Sequence, residues 1–121
     1  MRILIADDQA DVRSALRLLL EQGDQFDIVG EVADATGLLI QLDSKQPDLV
    51  LLDWELPGLS MTQLIRLLRV ERPHLQVLAM SSRPEAQQEA AAAAADGFVS
   101  KGDPPEIMLA ALRRFSVNGH S

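Results

Sequence analysis

Acidic residues follow two apolar runs of this sequence, and they are the side chains best suited to chemistry. The run at residues 3–6 ends in Asp7 and Asp8, and the run at residues 49–52 ends in Asp53. In an open parallel sheet, binding groups gather beyond the carboxyl ends of the strands, where the strand order reverses. If the two runs are neighbouring strands, the three carboxylates share one small pocket.

A pocket with three carboxylates needs a compensating positive charge. Two unit charges ~4 Å apart at an effective dielectric constant of about 20 repel each other by ~4 kcal/mol. Such a cluster either takes up protons, because the pKa values rise, or binds a cation. Hard oxygen ligands suit Mg²⁺, which takes one or two carboxylates, keeps several waters and recruits phosphate oxygens. The acids therefore predict a Mg²⁺ and phosphoryl site.

Two further apolar runs end in groups that suit phosphoryl transfer. One run ends in Ser81 and another ends in Lys101. All strands of a parallel sheet point the same way, so these residues belong to the same edge as the acids. A carboxylate nucleophile, a cation site, a hydroxyl and an ammonium group together favour attack of aspartate on phosphorus.

The elements that must position these residues alternate regularly. Five short apolar runs are each followed by a helical pattern, which predicts an α/β fold with a doubly wound, five-stranded parallel sheet. The predicted strands are residues 2–7, Asp27–Val32, 48–53, Gln76–Met80 and Gly97–Ser100. The predicted helices are residues 11–22 with Asp11 as N-cap, 35–45, 60–71, a segment after Pro84 running through Ala95, and a segment that begins with Asp103 as N-cap.

Composition limits the possible classes of protein. The 121 residues suffice for one domain, 1–121, and contain no cysteine, which excludes disulfides, zinc fingers and thiol catalysis. The net charge of −7 argues against this domain binding a nucleic-acid backbone directly. No run suits a signal peptide or approaches the ~20 apolar residues of a membrane helix. We expect a cytoplasmic domain that does not contact a membrane.

The polar residues at the strand ends, and their order in the sequence, resemble those of a known family. Over its whole length the sequence resembles the receiver domain of bacterial two-component response regulators. The matching elements are Asp7-Asp8, residues 53–58, Ser81 and residues 98–101. Residues 26–33 also resemble the subgroup in which a helix-turn-helix DNA-binding output domain follows the receiver. The resemblance implies a flavodoxin-like (βα)5 fold with strand order 2-1-3-4-5, and an output domain that is absent from this chain.

The resemblance also implies roles for the acids. Asp53 would be the phosphoacceptor, taking the phosphoryl group from a phosphohistidine on a sensor histidine kinase or phosphotransfer protein. Asp8 would ligate Mg²⁺ directly and Asp7 through water. Asp53 and the backbone carbonyl of Glu55 would complete the protein ligands.

A second implied set of residues would respond to the phosphate. Lys101 would pair with Asp53 and then with a phosphoryl oxygen, while the Ser81 hydroxyl would bind another oxygen. Phe98 would turn inward as Ser81 moves, and the surface from the fourth to the fifth helix would change. We expect this surface to control homodimerisation or an output domain, and any DNA contact to be made through that absent domain. The chain would be a signalling protein, acting as an enzyme only in its own phosphorylation and dephosphorylation.

Four positions depart from the pattern of the family, among them Phe98, which stands where tyrosine is usual. Gly102 follows the lysine where many receivers have proline, and we expect a trans peptide bond there because a cis bond before a non-proline residue costs ~3 kcal/mol. Met61 and Ala94 stand where glycine is common. These departures keep open a degenerate receiver that binds proteins without phosphate.

A phosphatase with an aspartyl nucleophile is a further alternative. Residues 53–55, Asp-Trp-Glu, superficially resemble the Asp-x-Asp pattern of haloacid-dehalogenase-type hydrolases. The second aspartate of that pattern and the length for a cap over the substrate are both lacking. The sequence therefore favours the receiver.

Overall fold

A five-stranded parallel sheet with helices on both faces forms the molecule. The computed structural model describes the backbone of residues 1–118 and the side chains of residues 1–115. The elements, in chain order, are β1 (Arg2–Ala6), α1 (Ala10–Leu20), β2 (Asp27–Val32), α2 (Ala35–Lys45), β3 (Leu49–Asp53), α3 (Met61–Glu71), β4 (Gln76–Ser81), α4 (Ala86–Ala92), β5 (Gly97–Ser100) and α5 (Pro105–Asn118). The strand order is β2-β1-β3-β4-β5, which confirms the predicted fold class and topology.

The central strand β3 aligns the strand ends that carry the acids. All five of its residues are buried, as expected for a strand covered on both faces. Ala6 at the end of β1 pairs with Leu52, and Asp53 pairs with Met80 of β4. The strand order reverses between β1 and β3, so Asp7 and Asp53 lie beside each other at the topological switch point.

Two hydrophobic cores hold the helices on the sheet. Alternating residues of β1 and β3 supply each core, so that Leu4 and Leu52 face one layer while Ile5 and Leu51 face the other. The first layer contains α2, α3 and α4, and the second contains α1 and α5. The sheet is therefore fixed from both sides, and its carboxyl edge is a rigid platform for the acids.

The first helix begins earlier than the sequence predicts. Asp11 does not cap α1, because the helix starts at Ala10 with Gln9 at the N-cap position and without a side-chain cap. The Asp7 carboxylate accepts a hydrogen bond from the backbone N–H of Gln9 at 2.9 Å. This bond turns the chain into the helix immediately after β1, and Asp11 falls in its first turn.

The fourth helix is shorter than the alanine run predicts. It ends at Ala92, and Ala94 has a left-handed backbone with φ of +67°. The Ala95 N–H donates to the Ala90 carbonyl and the Ala94 N–H to the Ala91 carbonyl, which is the pattern of a Schellman C-cap. Helix propensity is uniform along an alanine run, so the sequence did not reveal where the helix ends.

The last helix begins one residue later than predicted. Asp103 does not act as the N-cap of α5, which begins at Pro105, and its carboxylate instead accepts a hydrogen bond from the Ser100 N–H at 3.2 Å. Met108, Ala111 and Leu112 of α5 are buried. Within residues 1–118, none of the helices has the length and apolar character required to cross a membrane.

Candidate functional site

The three predicted acids lie together at the carboxyl edge of the sheet. One carboxylate oxygen from each of Asp7, Asp8 and Asp53 lies within 4.8 Å of the others. Asp7 is fully buried and Asp53 is 1% exposed, whereas Asp8 is exposed to solvent. Asp7 directly follows β1, and its N–H donates to the carbonyl of Val32 in β2 at 3.0 Å. The pocket is thus closed on the protein side and open beside Asp8.

Lys101 brings a positive charge into this pocket. Its Nζ atom lies 2.7 Å from Asp7 Oδ2 and 3.4 Å from Asp53 Oδ1. Its backbone N–H donates to the carbonyl of Ser81 at 2.9 Å, which anchors the end of β5 to the end of β4. Burial alone would lower the pKa of Lys101, but the contact with Asp7 and the charges of both aspartates together raise it. Lys101 therefore carries its positive charge inside the site.

Asp53 is held in a setting that disfavours its charge. Burial raises the pKa of the Asp53 carboxyl, and the neighbouring charge of Asp7 raises it further. The backbone N–H of Glu55 donates to Asp53 Oδ1 at 3.0 Å. This hydrogen bond and the positive charge of Lys101 act in the opposite direction and lower the pKa of Asp53. Both of these contacts engage Oδ1.

The donor set of this pocket fits a magnesium ion. Asp7 Oδ2 is buried and makes no hydrogen bond with correct geometry, although Lys101 lies close enough for an ion pair. A buried carboxylate oxygen without a hydrogen bond is costly unless a cation or water binds it. Three carboxylates and an open side toward solvent match the preference of Mg²⁺ for a few oxygen ligands and retained waters.

Ser81 lies at the carboxyl edge of the sheet, whereas Phe98 lies within β5. Ser81 is buried at the end of β4, and its Oγ atom donates to Glu55 Oε1 at 2.7 Å. Phe98, in the middle of β5, is partly buried and packs against the core cluster on the α4 side. The structure thus places Ser81 beside the loop that follows Asp53, with its hydroxyl bonded to a glutamate.

Sequence reasoning missed three residues around the site. Arg13 donates from Nη1 to the Asp7 carbonyl at 2.7 Å, and Gln9 Oε1 lies 3.5 Å from Lys101 Nζ. Arg83 donates from Nε to Glu55 Oε2 at 3.3 Å. Polar residues near an acid in the sequence are common, so only the geometry distinguishes these three from solvated surface residues.

The departures noted in the sequence leave the site intact. The Lys101–Gly102 bond is trans, as expected, and residues 1–118 contain no cis peptide bond. Met61 is the first residue of α3, where Ser60 caps the helix by accepting a hydrogen bond from the Gln63 N–H. The positive φ of Ala94 explains why glycine would suit that position.

The family model of the response regulator receiver domain matches residues 3–113. This chain therefore belongs to the receiver domains of two-component response regulators. The match covers the sheet, all the acids and most of α5, and it agrees with the resemblance found in the sequence.

Two curated relatives of this chain carry the names of transcriptional regulators. The transcriptional activator protein ExaE of Pseudomonas putida is 36% identical across the whole of this chain, which spans 57% of that protein. The phosphate regulon transcriptional regulatory protein PhoB of Klebsiella pneumoniae is 34% identical over 93% of this chain, which spans 50% of that protein. The chain thus spans about half the length of the curated relatives that it matches.

Solved structures show the same fold. A LuxR-family two-component response regulator from Aurantimonas sp. SI85-9A1 has a TM-score of 0.88 at 27% identity, covering 97% of this chain and 85% of that one. The isolated receiver domain of RcsB from Salmonella enterica serovar Typhimurium, studied with the phosphomimetic BeF3⁻, has a TM-score of 0.83 at 27% identity. That match covers 94% of this chain and 88% of the other.

Proposed function

We propose that this domain accepts a phosphoryl group on Asp53 and relays the signal through a change of its surface. The observation that carries this proposal is the burial of Asp53 beside Asp7 and Lys101, with the Asp8 carboxylate at the open side. A carboxylate nucleophile, a cation site and a fixed ammonium group are the parts that phosphoryl transfer requires.

The contacts of Asp53 assign its two oxygens different tasks. The Glu55 N–H and Lys101 orient Oδ1, which leaves Oδ2 as the nucleophile. As Oδ2 bonds to phosphorus, the P–N bond of a phosphohistidine breaks and the imidazole leaves with the electron pair. Lys101 then stabilises the negative charge that develops on a phosphoryl oxygen. The product is an acyl phosphate on Asp53 and an unmodified histidine on the donor.

Magnesium would be held by Asp7, Asp8, Asp53 and the backbone carbonyl of Glu55. When bound, it neutralises the acidic pocket and the charge of the incoming phosphoryl group. Asp8 is the ligand exposed to solvent, and buried Asp7 contributes through its oxygen that lacks a hydrogen bond. Phosphoryl transfer to Asp53 should therefore require Mg²⁺.

The donor protein would approach over α1. Leu18 on this helix is 70% exposed, and an apolar groove between α1 and α5 opens beside Lys101, lined by Val12, Leu16 and Met108. A sensor histidine kinase or phosphotransfer protein that docks here would place its phosphohistidine next to the acids. We therefore assign the α1 face to the phosphodonor.

Phosphorylation would change the surface formed by α4, β5 and α5. A phosphoryl group adds about −1.5 to −2 charges and three acceptor oxygens to the pocket. Ser81 and Lys101 are the side chains that can move toward this new negative charge. Phe98 lies in β5, the strand that leads to Lys101. We propose that this surface then forms a homodimer or regulates an output domain. The transcriptional names of the relatives support DNA regulation through such a domain, in the cytoplasm.

The structure gives no support to a phosphatase. A hydrolase of that kind needs a second acid free to protonate the leaving group. The Glu55 carboxylate instead accepts a hydrogen bond from Ser81 and pairs with Arg83. Many turnovers of p-nitrophenyl phosphate by this domain would contradict this conclusion.

Labelling with a small phosphodonor tests the proposal. With phosphoramidate and Mg²⁺, the wild-type domain should gain one phosphoryl group by intact-mass spectrometry, and EDTA should prevent the gain. Asp53→Asn should gain none, whereas Asp24→Asn, which changes the same charge at an exposed position, should label like the wild type. Equal labelling of Asp53→Asn would refute the assignment, and an unlabelled wild type would favour a phosphate-independent receiver.

A further inference from the structure

The hydroxyl of Ser81 is already engaged in the unphosphorylated domain. Its Oγ atom donates to Glu55 Oε1 at 2.7 Å and accepts a hydrogen bond from the Arg83 backbone N–H at 3.0 Å. Ser81 is buried, so these contacts are sheltered from competing water. A short bond to a carboxylate is stronger than a bond between neutral groups.

A serine hydroxyl has only one hydrogen, so it can donate to only one acceptor at a time. Ser81 cannot donate to Glu55 and to a phosphoryl oxygen at the same time. We propose that the Glu55 side chain is a positioning residue that holds Ser81 in its unphosphorylated position and must release it when Asp53 is phosphorylated. This role concerns the carboxylate of Glu55 and is separate from that of its backbone carbonyl.

Arg83 fixes the carboxylate that holds Ser81. Its Nε atom lies 3.3 Å from Glu55 Oε2, while its Nη atoms pair with Glu85 at 3.2 Å and Glu89 at 2.8 Å. Glu89 also accepts a hydrogen bond from Trp54 Nε1 at 3.1 Å. Glu55 is thus held in place from the side opposite Ser81, by an arginine that is itself anchored to α4.

The charge of a phosphoryl group would act directly on this contact. The proposal rests on the phosphoacceptor function, because the new negative charge arrives on Asp53, two residues from Glu55. Because like charges repel, the phosphoryl group repels the Glu55 carboxylate, and at the same time it attracts the Ser81 hydroxyl. Glu55 thereby raises the threshold for switching and keeps the domain in its resting state when no phosphate is bound.

Binding of BeF3⁻, a mimic of the phosphoryl group, measures this threshold. Titration calorimetry at saturating Mg²⁺ should show that Glu55→Ala binds BeF3⁻ about three- to tenfold more tightly than the wild type, the range expected for loss of one partly exposed charge-assisted hydrogen bond. Glu55→Gln, which keeps an acceptor oxygen, should show a smaller gain. Equal gains in both variants would assign the effect to charge alone and overturn the proposal.

A double-mutant cycle shows whether Glu55 acts through Ser81. In a Ser81→Ala background, Glu55→Ala should change BeF3⁻ affinity less than about twofold, because the hydroxyl that Glu55 holds is gone. A gain as large as in the wild-type background would contradict the role. Thermal unfolding of each variant establishes that it is folded.

A matched charge control separates the possible failures. Glu85→Gln removes one negative charge from the same Arg83 network without touching Ser81, and its BeF3⁻ affinity should stay close to that of the wild type. If the wild type binds BeF3⁻ and Glu55→Ala does not differ from it, only the role of Glu55 fails. If the wild type binds no BeF3⁻ with Mg²⁺ present, the proposed function fails and the role of Glu55 falls with it.

Discussion

At the scale of single residues, the acidic pocket lowers the stability of the folded domain. Asp7 and Asp53 are buried beside each other, and only one ammonium group, that of Lys101, lies within ion-pair distance of them in residues 1–118. A buried carboxylate without full compensation weakens a fold. In the proposed function, these same carboxylates hold a cation and accept the phosphoryl group.

Replacing the phosphoacceptor should therefore stabilise the free domain. Because burial raises the pKa of Asp53, the folded state loses stability as the pH rises from the unfolded pKa through the folded pKa. In EDTA at pH 7, Asp53→Asn should raise the free energy of unfolding by roughly 1 kcal/mol, measured by urea denaturation. The gain should shrink as the pH falls to and below the ordinary aspartate pKa of about 3.9, because the carboxyl then becomes protonated in both states.

An exposed aspartate provides the control for this measurement. Asp24→Asn makes the same change of charge outside the pocket and should leave the free energy of unfolding nearly unchanged at every pH. A destabilised Asp53→Asn, or a gain that grows toward acidic pH, would show that the pocket does not hold Asp53 in an unfavourable charged state.

At the scale of elements, the end of α4 carries a backbone that alanine tolerates poorly. Ala94 has a φ of +67° and is exposed, so its methyl group adds strain without burying surface. Ala94→Gly should raise the free energy of unfolding by roughly 0.5–1 kcal/mol, net of the larger entropy of glycine in the unfolded chain. Ala91→Gly, inside the same helix, should lower it by about as much. Two changes of the same sign in urea denaturation would contradict the left-handed cap.

The loop after β3 depends on a glycine for a different reason. Gly58 has a φ of +118°, and a Cβ atom there would lie 3.0 Å from Ala35 Cβ and 3.2 Å from its backbone nitrogen. Gly58→Ala should lower the free energy of unfolding by about 1–3 kcal/mol in urea. Gly23→Ala, where a Cβ would meet nothing within 4 Å, should have little effect. A neutral Gly58→Ala would show that the loop can relax.

The sequence predicts the elements well where a strong local signal marks their ends. All five strands lie within one residue of their predicted bounds. For β1, β3 and β4 the reason is that buried parallel strands form nearly continuous apolar runs. The errors fall at helix ends. The α1 start depends on the side chain of Asp7, and the α4 end on a left-handed alanine held by Arg69, which donates to the Ala94 carbonyl at 2.8 Å. Such side-chain contacts have no periodic signature in the sequence.

The same distinction applies to the site. The sequence predicts that the acids, Ser81 and Lys101 share one edge, because topology alone places the ends of parallel strands together. It does not predict that Ser81 bonds to the Glu55 side chain, or that Arg83 holds that glutamate. These contacts depend on rotamers of surface side chains, which strand periodicity does not determine.

At the scale of the whole molecule, the two cores make the acidic edge a preformed site. Helices cover both faces of the sheet and hold the strand ends that bring the acids close together. Binding of Mg²⁺ to the folded state alone should raise the free energy of unfolding by about 1.4 kcal/mol for each tenfold increase in Mg²⁺ above its Kd. Thermal unfolding across a Mg²⁺ series should show this rise in the wild type and a much weaker one in Asp8→Asn. A wild type indifferent to Mg²⁺ would argue for a degenerate receiver.

Chemical trapping of the phosphorylated residue tests the central claim most directly. Borohydride reduces an acyl phosphate to an alcohol, so labelling the wild-type domain with phosphoramidate and Mg²⁺, reducing it and sequencing its peptides by mass spectrometry identifies the acceptor. We expect a single reduced residue at position 53, absent when EDTA replaces Mg²⁺. A modification found on Ser81, a histidine or another acid, with residue 53 unchanged, would contradict the account.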